Sequence, residues 1–290
     1  MQIASIMEML LRADARGERL GPAALTFLVR RYAETGADEV RGALERGLSN
    51  ALDGLPAGDI KAAWIHTLCE AAAVTDDERI VGAVTDAARS LRDGWPSRGA
   101  MVGAMGDVDA CLAAASLVGS DLLGAAIDEL ERVVCLAYRP GERLPQSLRN
   151  PDADDGGVEE HVAAATALLT AHDMTARLPY SMLAEELMQA VRGAGGPQAA
   201  HYSLTGGPKG PHYDLTGGPK GPHYELARVL CRLARLHDDE DYKRTAVVAR
   251  SSDYRGEAKA VLEEIPLPDG ERSEDAAMFG LATDELVRTS

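Results

Sequence analysis

Apolar residues recur along this chain at helical spacing, and short polar breaks interrupt them at regular intervals. Over 24–34 the apolar positions are Leu25, Leu28, Val29 and Tyr32, and Thr35-Gly36 follows as a C-cap signal. Over 38–52, Val40, Leu44 and Leu48 lie four apart. Asp53-Gly54-Leu55-Pro56 breaks the pattern before 59–73, and Thr75-Asp76-Asp77 caps a charged helix ending near Leu91. The same logic predicts 106–118 with 121–138, 158–171 with 180–191, and 224–236 with 241–249 and 254–264. Single helices are predicted over 2–13 and 273–288, the latter with Ser273 as N-cap.

The helices come in pairs, each with an Ala/Leu-rich first member, a short polar turn and a more charged second member. The turns read AETGADEV, AVTDDERI, LVGSDLLG and LHDDEDYK. A two-helix unit repeated in this way cannot bury its apolar face alone and must stack into a solenoid or a closed ring. The first and last helices lack a neighbouring mate and can pair with each other. The predicted fold is therefore all-α: antiparallel helical hairpins forming an (α/α)6 toroid, with 1–290 as one domain. An open solenoid would carry the same hairpins. In a ring the less charged helix of each pair faces inward. The long connections (53–58, 93–106, 140–157 and 192–223) should then share one rim with the N-termini of the inner helices, where function concentrates.

The phrases AALTFLVRRYAETGADEVRGALERGL, DYKRTAVVARSSDYRGEAKAVLEEI and DAAMFGLATDELV resemble the hairpin repeat of six-hairpin toroids. The closest flavour is the N-acylglucosamine 2-epimerase-like barrel, including the barrel half of thioredoxin-domain proteins. DDGGVEEHVAAATALL is similar to the helix opening that such barrels carry after an Asp-Gly. The resemblance implies a funnel-shaped site for a carbohydrate or other small polar ligand.

Several residues could carry chemistry there. Asp152, Asp154 and Asp155 precede the helix at Val158 and could bind a divalent cation, supply a general acid, or simply cap the helix. The DADD spacing also matches the DxDD motif of class II terpene cyclases, a minor alternative. Asp107 and Asp109 open the helix that carries Cys111, and paired carboxylates suit glycoside or epimerase chemistry. Trp64 and His66 lie two apart, so one of them can face a lumen, although core roles suit both. His161 stands about one turn into its helix and could face the mouth as a general base. The expected catalytic set is Asp107, Asp109, Asp154, Asp155 and His161.

Composition narrows this further. Hydrophobic residues make up 46% of the 290, but aromatics only 4%, with two Phe and two Trp. Sugar platforms must then come from Tyr138, Tyr180, Tyr202, Tyr213 or Tyr224. Scarce aromatics also favour the competing class, a non-catalytic scaffold that binds a protein partner. A net charge of −16 leaves no basic footprint for nucleic acid. No stretch of about 18 apolar residues suggests a membrane span, and the first residues lack the basic start of a secretory signal, so a cytoplasmic location is expected. Cys69, Cys111, Cys135 and Cys231 sit in apolar stretches without a CxxC and read as reduced core thiols. No cofactor is implied. Residues 201–224 repeat LTGGPKGPHY in tandem within a Gly/Pro-rich loop at about 195–223. Its three histidines, His201, His212 and His223, could meet a metal, and the loop could be a lid, a partner-binding arm or a tolerated duplication.

Overall fold

In the computed structural model, residues 3–54, 61–153, 155–193, 221–265 and 273–289 are described. Among them are thirteen α-helices: α1 (Ile3–Ala15), α2 (Pro22–Thr35), α3 (Asp38–Gly54), α4 (Ala62–Ala72), α5 (Arg79–Gly94), α6 (Met101–Val118), α7 (Ser120–Ala137), α8 (Val158–Thr175), α9 (Leu178–Gly193), α10 (Gly221–Asp238), α11 (Glu240–Thr245), α12 (Tyr254–Glu264) and α13 (Ser273–Arg288). The only β pairing among these residues is two isolated bridges in loops.

Six helices form a closed inner ring. α2 packs on α4, α4 on α6, α6 on α8, α8 on α10, α10 on α13, and α13 returns to α2. The outer layer is α3, α5, α7, α9 and α12, each against its hairpin partner, with α1 covering α13. This is an (α/α)6 toroid, and the first and last helices pair to close it.

Polarity decides the layers. The outer helix α5 buries one stripe, Ile80, Val84, Ala87, Ala88 and Leu91, and leaves its charged face wet. The inner helix α6 buries side chains on every face, from Met101 and Met105 to Leu112 and Ala115. Contrary to the expectation of no membrane-length stretch, α6 is long and apolar enough to cross a bilayer, with a mean hydropathy of 1.5. Here protein surrounds it instead.

The closing seam is tight. Gly280 of α13 lies where a methyl group would meet Phe27 Cε2 at 2.7 Å and Ile6 Cδ1 at 2.9 Å, which draws α13 against α2 and α1. Glu274 accepts from the Ala23 N–H (2.8 Å) and the Ala24 N–H (3.3 Å), satisfying free donors in the first turn of α2. Tyr224 and Phe279 meet edge-to-face across α10 and α13, with centroids 6.2 Å apart.

Two helices depart from the sequence pattern. α6 begins five residues early, because Met101 is buried and its N–H bonds the Gln146 carbonyl at 2.9 Å. α11 stops at Thr245 rather than reaching 249, because the Val248 and Ala249 amides donate to Glu185 of α9 (2.8 and 3.1 Å). A buried carboxylate outcompetes the helical bonds there. The thiols split: Cys111 and Cys231 are core, Cys69 is half-buried, and Cys135 is exposed on α7, contrary to the core role expected for all four.

Candidate functional site

The ring encloses a cavity of about 470 Å³ walled by all six inner helices. That volume suits a ligand of one or two sugar units. Inner helices run parallel, so their N-termini share the rim that carries the long connections. Two of these connections touch one another: the Leu148 N–H donates to the Gly99 carbonyl at 2.8 Å, and Arg149 donates to the Ser97 carbonyl at 2.7 Å.

The wall is charged although the helices are apolar elsewhere. On α10, residues 225, 228, 232 and 235 recur at spacings of three and four and present Glu225, Arg228, Arg232 and Arg235 to the cavity. Arg30 of α2 donates through two nitrogens to Glu70 of α4 (2.9 and 2.8 Å) and through Nη1 to Glu285 of α13 (2.7 Å). Arg228 donates to the same Glu285 oxygen at 3.0 Å and to Glu225 at 3.0 Å. The result is one chain of alternating charge: Glu70, Arg30, Glu285, Arg228, Glu225. Burial opposes ionisation of Glu285, but Arg228 and Arg30 outweigh it and hold its pKa below the ordinary value.

Beside this chain, His66 Nε2 lies 2.8 Å from Asp109 Oδ2. His66 sits deep in the wall of α4, yet 36% of its side chain remains open to the lumen, whereas Asp109 on α6 is only 10% exposed. Burial disfavours the imidazolium, but the Asp109 carboxylate overcomes that and raises the His66 pKa. Burial likewise works against the Asp109 anion, and His66, the Thr170 hydroxyl and Arg232 reverse it, lowering its pKa. The pair is an aspartate-oriented histidine with its second ring nitrogen left for a ligand.

Of the four described residues expected to be catalytic, the structure brings Asp109 alone to this lumen. Asp107 points to the opposite side of α6, where it is ion-paired with Arg98. One turn on, Cys111 donates to the Ala88 carbonyl of α5 at 3.7 Å. Residues two apart on a helix lie on different faces, so Asp107 and Asp109 cannot act as a pair. His161 is 1% exposed and faces the 140–157 loop rather than the mouth. Its Nδ1 donates to the Gly157 carbonyl at 2.7 Å and its Nε2 accepts from the Leu144 N–H at 3.3 Å. Burial lowers its pKa, so it is a neutral pin for the loop. Asp155, like Asp152, is exposed in the rim loop, outside the cavity wall. Asp154, Tyr202, Tyr213 and the tandem repeat up to residue 220 lie outside the described residues.

The tyrosines expected to form a sugar platform do other work. Tyr138 donates to Glu186 (2.5 Å) and Tyr180 to Glu131 (2.6 Å), tying the outer helices α7 and α9 together, and Tyr224 is fully buried. Trp64 packs against the core. Sequence reasoning missed Arg30, Glu70, Glu225, Arg228, Arg232, Arg235 and Glu285. Their signal was present as charged residues on the less charged helix of each pair, at positions a ring must turn inward.

No protein-family model matches the chain, and no curated protein matches it. Solved structures do. An unsaturated glucuronyl hydrolase specific for heparin is similar at a TM-score of 0.67 and 10% identity, over 97% of this chain and 94% of that one. An inactive variant of an α-1,6-mannanase of Salegentibacter sp. HEL1_6, in complex with α-1,6-mannotetrose, is similar at 0.63 and 11% identity, over 99% of both chains. The Lin0763 protein of Listeria innocua is similar at 0.58 and 12% identity, over 93% of this chain and 85% of that one. At these identities the likeness is one of fold, and it extends over nearly the whole chain.

Proposed function

We propose that this protein is an acid–base enzyme acting on a carbohydrate held in the lumen of its ring. The observation that carries the reading is the His66–Asp109 pair, an ionised carboxylate orienting a lumen-facing histidine inside a cavity of sugar size. With Nε2–H donating to Asp109, the His66 Nδ1 is the atom that accepts or returns a proton at a ligand hydroxyl or a water. Alternating Arg and Glu side chains around the wall supply fixed donors and acceptors for a polyhydroxyl ligand. The glucuronyl hydrolase and the mannanase, both named for action on carbohydrates, use the same ring, which supports the substrate class.

The scaffold alternative predicts a lumen plugged by Ala, Leu and Met, whereas this one is open and charged. A terpene cyclase needs an apolar, aromatic-lined chamber to hold a polyprene and its cations. Described aromatic residues other than His66 are missing from this wall.

The test is a panel of aryl glycosides and reducing sugars assayed for cleavage or epimerisation by the parent, His66→Gln and Asp109→Asn, with folding checked by circular dichroism. Turnover by the parent that falls by about 10²–10⁴-fold in His66→Gln supports the reading. Turnover that survives His66→Gln unchanged removes His66 from the chemistry. A parent that neither turns over nor binds any sugar returns the protein to the scaffold class.

A further inference from the structure

We propose that the end of the lumen farthest from the long-loop rim is an oxyanion subsite, formed by Arg232 and Arg235 of α10, which takes the carboxylate or phosphate of an acidic sugar. The proposal rests on the lumen being the ligand site and goes further in assigning the ligand a negative charge.

Four guanidiniums line the cavity, and they are not equivalent. Arg30 and Arg228 are consumed by Glu70, Glu285 and Glu225, so their charge is already balanced. Arg232 and Arg235 lie one turn apart near the C-terminal end of α10. Arg232 is held from the α8 side by the Thr166 carbonyl (3.3 Å), the Thr170 hydroxyl (3.2 Å) and Asp173 (2.8 Å). These contacts fix its plane, and Asp173 itself is 62% exposed, so water weakens its hold on the charge. Arg235 lines the cavity, is exposed to it, and has no hydrogen bond or ion pair among the described residues. One oriented guanidinium beside one unpaired guanidinium offers the planar donor forks that match carboxylate and phosphate oxygens. The charge is permanent, so it does not depend on pH.

The setting strengthens the case. The chain carries a net charge of −16, and a free arginine in the lumen of so acidic a protein is a local departure from its general field. Arg232 also lies near enough to Asp109 to favour its ionised form. An oxyanion bound by the two arginines therefore places the rest of the sugar beside the His66–Asp109 pair.

The experiment is isothermal titration of glucuronate, glucose 6-phosphate, glucose and inorganic phosphate into the parent, Arg235→Gln, and Arg89→Gln as a control that removes an exposed charge elsewhere. The expected result is that at least one acidic sugar binds the parent ten-fold or more tightly than glucose, weakens with salt, and loses that advantage in Arg235→Gln but not in Arg89→Gln. Preference for glucuronate or for glucose 6-phosphate then names the anion. Glucose binding as well as both acidic sugars, or an advantage unchanged in Arg235→Gln, overturns the subsite while leaving a sugar-binding lumen intact. Absence of binding by either acidic sugar and by phosphate also overturns it. Acidic sugars that bind through Arg235 while His66→Gln leaves turnover unaltered would uphold the subsite and reject the catalytic reading.

Discussion

Arg30 Nη1 donates to Glu285 Oε1 at 2.7 Å although 255 residues separate them. This contact joins the first inner helix to the last and crosses the seam where the ring closes. Glu285 also receives Arg228, so its removal takes one of two carboxylate partners from each of two half-buried guanidiniums. Glu285→Ala should lower unfolding stability by about 3 kcal/mol, read from urea melts. Replacing Arg30 and Glu285 together by Met and Leu should cost less than the sum of the two single changes, because the contact between them is then lost only once.

The same seam favours a glycine, and the α8–α9 hairpin elsewhere in the ring lacks one where its backbone would suit it. Gly280→Ala drives a methyl group into Phe27 and Ile6, an overpacking that should cost about 1–3 kcal/mol. Ala176, which ends α8, holds φ 55°, a left-handed conformation that suits glycine. Ala176→Gly should raise stability by about 1 kcal/mol. Opposite shifts in melting temperature for these two exchanges are the expected outcome.

Glu185 should control stability in acid. It is fully buried and accepts from His237 (2.8 Å), Tyr254 (3.0 Å) and two backbone amides. Burial opposes its charge, but His237 and those amides prevail and depress its pKa from the ordinary 4.5. A depressed carboxylate contributes stability that is full above its unfolded pKa and lost as pH falls through the folded one. Glu185→Gln should therefore destabilise strongly at neutral pH. Denaturant midpoints of parent and variant should converge as pH falls from 4.5 through the depressed folded pKa.

The His66–Asp109 pair predicts a titration with the opposite sign. The His66 pKa is raised, so its contribution is full below the unfolded value of 6.5 and fades as pH rises through the folded one. In Asp109→Asn burial and Arg228 still disfavour the imidazolium and only Glu225 opposes them, so the His66 pKa should drop beneath 6.5. Imidazole proton shifts followed by NMR would measure this, and an unmoved pKa would show that Asp109 does not govern the ring. Any pH–rate profile that depends on His66 should move to lower pH in the same variant.

How much was legible beforehand differs between fold and site. The hairpins followed from apolar spacing and from breaks such as Thr35-Gly36, where Gly36 caps α2 at φ 61° and donates to Tyr32. The inner and outer roles followed from which helix of a pair carried fewer charges. Which carboxylates face the lumen was not legible, because direction around a helix axis is fixed by packing and not by local sequence. Asp107 and Asp109 look equivalent in the chain, yet one meets Arg98 outside the lumen and the other meets His66 within it. His161 has the same history: one turn into an inner helix is compatible with the mouth, and only the return of the 140–157 loop showed its ring pinned between Gly157 and Leu144.

The sequence by itself determined the helical hairpins and their layering, because periodic burial and short capped turns are local properties of 10 to 20 residues. Tertiary structure alone decided which charges meet across the lumen: Arg30 with Glu70 and Glu285, His66 with Asp109, and Arg235 with none among the described residues. Those pairings join helices far apart in the chain, and each depends on the rotation of every inner helix about its own axis. That rotation is set by packing around a closed ring, where each helix is fixed only once both of its neighbours are in place.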